Sequence, residues 1–164
     1  MKLEQASEIA QRVKDQLAPH CHRIEIAGSI RRCKADVGDI EIVAIPKPYD
    51  VGLFASGIAL VVDQWAKVKG ELGPKCRYTQ RALPEGIGLN LFFAKPENWG
   101  LIFSIRTGSA RFSCQILARG WVRAGYRSEG GMLYRQNGEV VPVAEEHDLF
   151  RIARVGWEEP EARR

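Results

Sequence analysis

The sequence predicts an α+β fold, on three observations. Apolar residues recur at helical spacing at the start of the chain. Short apolar runs with period-two alternation, bounded by Gly and Pro, fill its middle. The order of these elements is neither a strict strand–helix alternation nor a run of strands alone.

Leu3, Ala6, Ile9, Ala10, Val13 and Leu17 share one helical face, so the chain opens with an amphipathic helix, which Pro19 stops. Residues 23–27 read as a short strand. Gly28-Ser29 then turns the chain into a helical segment. Residues 37–45 read as a second strand, with Ile40, Ile42 and Ala44 on one face and Asp39, Glu41 and Val43 on the other; Pro46 and Pro48 close it. Ile58, Val61, Val62, Trp65 and Val68 suggest another helix, ended at Gly70. Residues 76–83 and 87–94 are predicted strands, separated by Pro84-Glu85-Gly86. Helices are expected over 97–105 and 109–123, the second with Ser109 as its N-cap. Residues 132–134 and 139–143 flank Asn137-Gly138, a strong hairpin signal. A short helix over 145–154 and a charged tail complete the reading. The composition shifts near Pro96, which places a boundary there.

Composition narrows the class. The 164 residues are 45% hydrophobic and 27% charged, as in an ordinary globular protein, and the net charge of +4 with a pI near 9.0 suits a polyanionic partner. No apolar run approaches the length needed to span a bilayer, and Met1-Lys2-Leu3-Glu4 is followed by no apolar signal-peptide core, so a cytoplasmic protein without a membrane partner is expected. Cys21, Cys33, Cys76 and Cys114 fit neither a zinc template nor a disulfide framework. His20-Cys21-His22 cannot easily turn three consecutive side chains onto one ion.

The chemistry concentrates in two neighbouring segments. At Gly28-Ser29 a strand runs into a helix start. Glycine lets the backbone approach a ligand, while the free N–H groups and the Ser29 hydroxyl can bind phosphate oxygens. Arg31 and Arg32 add charge, and an Arg can hold phosphate bidentately. Asp39 and Glu41 lie two apart on a strand, hence on one face and about 7 Å apart at Cα. Two such carboxylates can hold Mg²⁺ and leave room for water and phosphate oxygens. A pair of ions about 3.5–4 Å apart would polarise the attacking and leaving oxygens of an in-line displacement.

Read together, Gly28-Ser29-Ile30-Arg31-Arg32-Cys33-Lys34-Ala35-Asp36-Val37-Gly38-Asp39-Ile40-Glu41 resembles the nucleotidyltransferase motif of family X DNA polymerases in their polymerase beta-like form. Ile105-Arg106-Thr107-Gly108-Ser109 looks like that family's thumb segment. Glu145-Glu146-His147-Asp148-Leu149-Phe150, with Pro160 downstream, looks like its C-terminal signature.

The resemblance implies a nucleotidyltransferase palm over residues 1–95, a mixed sheet with flanking helices, and a small α/β thumb over 96–164. It implies that Gly28, Ser29, Arg32 and Gly38 hold the triphosphate of an incoming nucleotide. Thr107, Gly108 and Ser109 would lie beside its sugar and base, and Asp39 and Glu41 would supply two of three metal-binding carboxylates. The expected activity is template-directed addition of a nucleotide to a DNA 3′ end, in short-gap repair, with two Mg²⁺ ions or Mn²⁺ in their place. The expected partners are primer-template or gapped DNA and a nucleoside triphosphate, with the chain a monomer. The helix-hairpin-helix modules that usually precede the palm have no room, so the chain resembles the shortest, viral-type members. Basic residues flanking the palm strands (Lys67, Lys69, Lys75, Arg77, Arg81) and in the thumb (Arg106, Arg111, Arg119, Arg123, Arg127) would include DNA-phosphate contacts.

The pattern breaks at one position. In Ile87-Gly88-Leu89-Asn90-Leu91-Phe92-Phe93 the third acid is replaced by Asn90. Asparagine is neutral, offers a single carbonyl oxygen and cannot take a proton from the primer hydroxyl as a carboxylate could. Such a chain is either weakened by nature or altered to trap a substrate complex, and it should bind substrates better than it turns them over. Glu41 stands where Asp is more usual. Ile105-Arg106 replaces an aromatic pair that walls the sugar in relatives, and Ala110 and Ser113 replace polar residues near the nascent base pair. Two other readings stay open: a catalytically silent DNA- or nucleotide-binding module, and a nucleotidyltransferase acting on a non-DNA acceptor.

Overall fold

The computed structural model describes residues 1–48, 57–73 and 75–164. It is α+β: a mixed five-stranded sheet with flanking helices, followed by helices and a three-stranded sheet. Two compact units result, Met1–Ala94 and Lys95–Arg164.

In the first unit, helix α1 (Leu3–Leu17) buries Ala6, Ile9, Ala10, Val13 and Leu17, the stripe visible in its sequence. Strand β1 (Cys21–Ile26) follows, then the one-turn helix α2 (Gly28–Arg31), strand β2 (Asp39–Pro46), helix α3 (Ile58–Val62), and strands β3 (Ala66–Lys69), β4 (Tyr78–Ala82) and β5 (Gly88–Phe93). The strand order is β1-β2-β5-β4-β3. All adjacent pairs are antiparallel except β2 with β5, which run parallel with Asp39 opposite Gly88 and Glu41 opposite Asn90. One side of the sheet carries Ile40, Ile42, Ala44, Leu89 and Leu91 into a core shared with α1 and α3. Alternation along the strands sends Asp39, Glu41 and Asn90 to the other side. The chain's first residues brace the approach to β2: the Met1 ammonium donates to the Val37 carbonyl at 3.0 Å, and the Val37 N–H returns a bond to the Met1 carbonyl at 2.9 Å.

The helix predicted from residue 58 to Gly70 is the main departure. It stops at Val62, and Ala66–Lys69 is an edge strand paired with β4. Val68 is thereby left 59% exposed. The helical spacing of Trp65 and Val68 competes with a free sheet edge, and backbone pairing along that edge prevails over the local pattern.

In the second unit, helix α4 (Trp99–Thr107) is followed by a π-helical stretch (Phe112–Ala118) that continues into α5 (Arg119–Arg123). Ser109 caps this run as expected, its Oγ accepting from the Phe112 N–H at 3.2 Å. The hairpin expected at Asn137-Gly138 is present as β7 (Met132–Arg135) and β8 (Val140–Val141). A further strand that the sequence reading omitted, β6 (Tyr126–Glu129), pairs with β7 across Gly130-Gly131. Helix α6 (Glu146–Ala153) is capped reciprocally by Glu145 and Asp148.

The expected charged tail packs against the second unit's core. Arg163 is wholly buried. Its guanidinium donates to Glu146 at 2.8 Å and to the Glu158 carbonyl at 2.9 Å, and lies 4.8–5.8 Å from the rings of Trp157, Phe150 and Phe112. Ser104 Oγ donates to the same Glu146 oxygen at 3.2 Å. Trp157 stacks on His147 with ring centroids 4.0 Å apart. A buried charge is tolerated only with its partner, so the pair ties the tail to α6. Arg163→Met is expected to lower unfolding stability by about 3 kcal/mol, because the buried Glu146 carboxylate loses its cationic partner and keeps the Ser104 hydroxyl bond. Urea denaturation checks this, and an unchanged midpoint would show that the pair contributes little.

Candidate functional site

Of the expected site residues of the first unit, Asp39, Glu41 and Asn90 share the side of the sheet away from α1, and Gly28 and Arg32 are coupled to them. Parallel pairing of β2 with β5 sets Glu41 beside Asn90. From there Asn90 reaches diagonally to Asp39, its Nδ2 donating to Asp39 Oδ2 at 2.6 Å. Gly88, opposite Asp39, carries no side chain to occupy that diagonal. Asn90 is 8% exposed, so both ends of its amide require partners. The second partner is Tyr78, whose hydroxyl donates to Asn90 Oδ1 at 2.7 Å. This residue was not singled out in the sequence reading; the available signal was an aromatic at the start of the strand next to β5.

The turn between β1 and β2 lies against the same carboxylates. Gly28 has φ +63°, and a Cβ placed there would collide with the Glu41 carboxylate, so glycine is needed for both conformation and space. The neighbouring Ala27 N–H donates to the Glu41 carbonyl at 2.8 Å. Ser29 Oγ is buried and has no hydrogen-bond partner among the described residues, a condition rare enough in folded proteins to ask what it would bind. Burial pulls the Arg32 guanidinium below its ordinary pKa, while Glu41 and, less, Asp39 pull it up. Arg32 is therefore part of the same electrostatic group as the two acids. Gly38, immediately before β2, is exposed with open space around it.

Thr107, Gly108 and Ser109 belong to the second unit. Thr107 is wholly buried, Gly108 takes φ +69°, and the Ser109 N–H donates to the Arg163 carbonyl at 3.2 Å. The folded tail thus supports this segment directly.

Among the expected phosphate-contacting residues, Arg81 is corrected. It is 3% exposed and pairs with Asp63 at 3.3 Å, so it is not on the surface. Lys67 pairs with Glu71 and Arg127 with Glu129, and Arg106, Arg111, Arg119, Arg123 and Arg127 are exposed.

Among the described residues there is no group of three or more His, Cys, Asp or Glu side chains suited to a metal ion, and no helix long and apolar enough to cross a membrane. Asp39 and Glu41, two acids on one face, suit one divalent cation. Asn90 as it stands does not suit the third ligand position, because its oxygen is taken by Tyr78 and its NH₂ faces Asp39. His20-Cys21-His22 forms no such group either: Cys21 is buried on β1, and burial raises its thiol to about 11.

No protein-family model matches the chain, and no curated protein is significantly similar to it.

Two outcomes follow from this geometry. Gly28→Ala should destabilise the first unit by roughly 1–3 kcal/mol through positive-φ strain and displacement of Glu41, read as a lowered melting temperature; an unshifted melt would contradict the packing. At pH 8, Cys33 and Cys114, both exposed, should alkylate quickly while Cys21 stays protected. The folded pKa of Cys21 lies above its unfolded value, so its contribution to stability is complete below about pH 9 and is lost as pH rises towards 11.

Proposed function

We propose that this chain is a nucleotidyltransferase of the family X DNA polymerase type, built to add a nucleotide to a DNA 3′ end at short gaps and impaired in this form by Asn90. In that reaction the primer 3′ oxygen attacks the α-phosphorus, the bond to the β-phosphate breaks, and pyrophosphate leaves. The single observation that supports it most is the pair Asp39 and Glu41 on one sheet face, with Glu41 against a glycine turn, Arg32 coupled to both acids, and the turn's Ser29 hydroxyl buried without a partner among the described residues.

The residues divide the work. Ser29 Oγ and Arg32 bind triphosphate oxygens, and Gly28 and Gly38 let the backbone come close. Asp39 and Glu41 hold a divalent cation, Mg²⁺ or Mn²⁺, which supplies charge neutralisation on the phosphates. For the second unit the resemblance implies that Thr107, Gly108 and Ser109 contact the sugar and base and that exposed arginines meet DNA phosphates without reading sequence. The primer hydroxyl lacks a carboxylate to take its proton, because Asn90 has none to offer.

The closed Tyr78–Asn90–Asp39 chain of hydrogen bonds favours a second reading, a silent module that binds nucleotide or DNA without turnover. Extension of a gapped primer by the unaltered chain and by Asn90→Asp separates the two. The polymerase reading expects a gain of roughly a hundredfold or more in the Asp form, the contribution typical of a positioned proton acceptor. Salt-sensitive DNA binding with no extension by either protein supports the silent module instead.

A further inference from the structure

Tyr78 stands at the start of β4, opposite Phe92 of β5, while Gln80 stands opposite Asn90. Tyr78 and Asn90 are thus diagonal neighbours on the face that carries Asp39, within reach of a long aromatic side chain. The Tyr78 ring stacks on Phe92 with centroids 4.9 Å apart and planes 25° from parallel, which restricts where its hydroxyl can go. That hydroxyl meets Asn90 Oδ1 at 2.7 Å, and the other end of the amide meets Asp39 Oδ2 at 2.6 Å.

We propose that Tyr78 is a positioning residue that fixes the amide of Asn90 with its NH₂ towards Asp39, so that the amide dipole partly compensates the Asp39 charge and competes with a cation for that carboxylate. The chemistry of the three groups allows one orientation. An ionised Asp39 only accepts, so it must face the NH₂; the reverse orientation would set a carbonyl oxygen against a carboxylate. The phenol then donates to the amide oxygen, and donation at one end strengthens the donor at the other. A cation that engages Asp39 Oδ2 must share that oxygen's charge with a short, charge-assisted hydrogen bond that Tyr78 reinforces, or displace it. Asn90 therefore does more than omit a ligand: through Tyr78 it occupies a neighbouring one. This inference rests on reading Asp39 and Glu41 as the cation-holding pair.

Tyr78→Phe keeps the ring and its stack and removes only the donor. In the full chain, titrated with Mn²⁺ and followed by electron paramagnetic resonance of the free ion, Tyr78→Phe is expected to bind roughly fivefold more tightly, the equivalent of one ordinary hydrogen bond. The Asn90 side-chain NH₂ signals, observed by NMR without metal, should lose their protection from exchange in the same variant. Damage to the fold would weaken the site, so a gain in affinity separates positioning from packing. Asp39→Asn serves as the control. If Mn²⁺ binds and is lost in Asp39→Asn but Tyr78→Phe binds equally or more weakly, the role of Tyr78 is overturned and the carboxylate pair stands. If Asp39→Asn leaves Mn²⁺ binding unchanged, the carboxylate reading fails and this inference with it.

Discussion

The parallel pairing of β2 with β5 is the constraint on which the first unit's site depends. It joins segments about fifty positions apart in the chain and sets Glu41 against Asn90 and Asp39 against Gly88. A slip of one residue would turn Asn90 into the core and bring Leu89 or Leu91 to the opposite face, burying an amide among apolar side chains and removing the polar group from beside Asp39. The core side enforces the register, since Ile40, Ile42, Leu89 and Leu91 are all fully buried there. The same packing that stabilises the sheet therefore positions the three polar groups opposite.

Around that pairing the site is asymmetric. On the side of the turn, a glycine gives way to Glu41, the Ser29 hydroxyl is buried without a partner among the described residues, and Arg32 is coupled electrostatically to two acids. Under the proposed function, the Ser29 hydroxyl and Arg32 are the groups that would meet phosphate oxygens. On the side of β4, Tyr78, Asn90 and Asp39 satisfy one another. Asp39 belongs to both sides: it shares a face with Glu41, and its Oδ2 accepts from Asn90.

Much of this was legible in the sequence for identifiable reasons. Helix α1, strands β2 and β5 and the hairpin at Asn137-Gly138 combine strong periodicity with turn residues, so local pattern and tertiary packing agree. Asp39 and Glu41 could be placed on one face from their spacing alone. What stayed hidden depends on partners remote in sequence. Ala66–Lys69 becomes a strand because β4 offers an edge. Arg81 looks like a surface cation until Asp63 and the core enclose it. Arg163 sits in a polar tail whose burial requires Glu146 and three aromatic rings. Tyr78 shows no chemistry until cross-strand geometry brings its hydroxyl to Asn90.

The central claim is that the turn and the two carboxylates form a nucleotide–cation half-site that operates without the third acid. Calorimetric titration of the unaltered chain with a deoxynucleoside triphosphate in Mg²⁺ tests it most directly. The account predicts saturable one-to-one binding that is abolished by Asp39→Asn and strongly weakened by Arg32→Ala. Absence of binding, or binding indifferent to both substitutions, would contradict it.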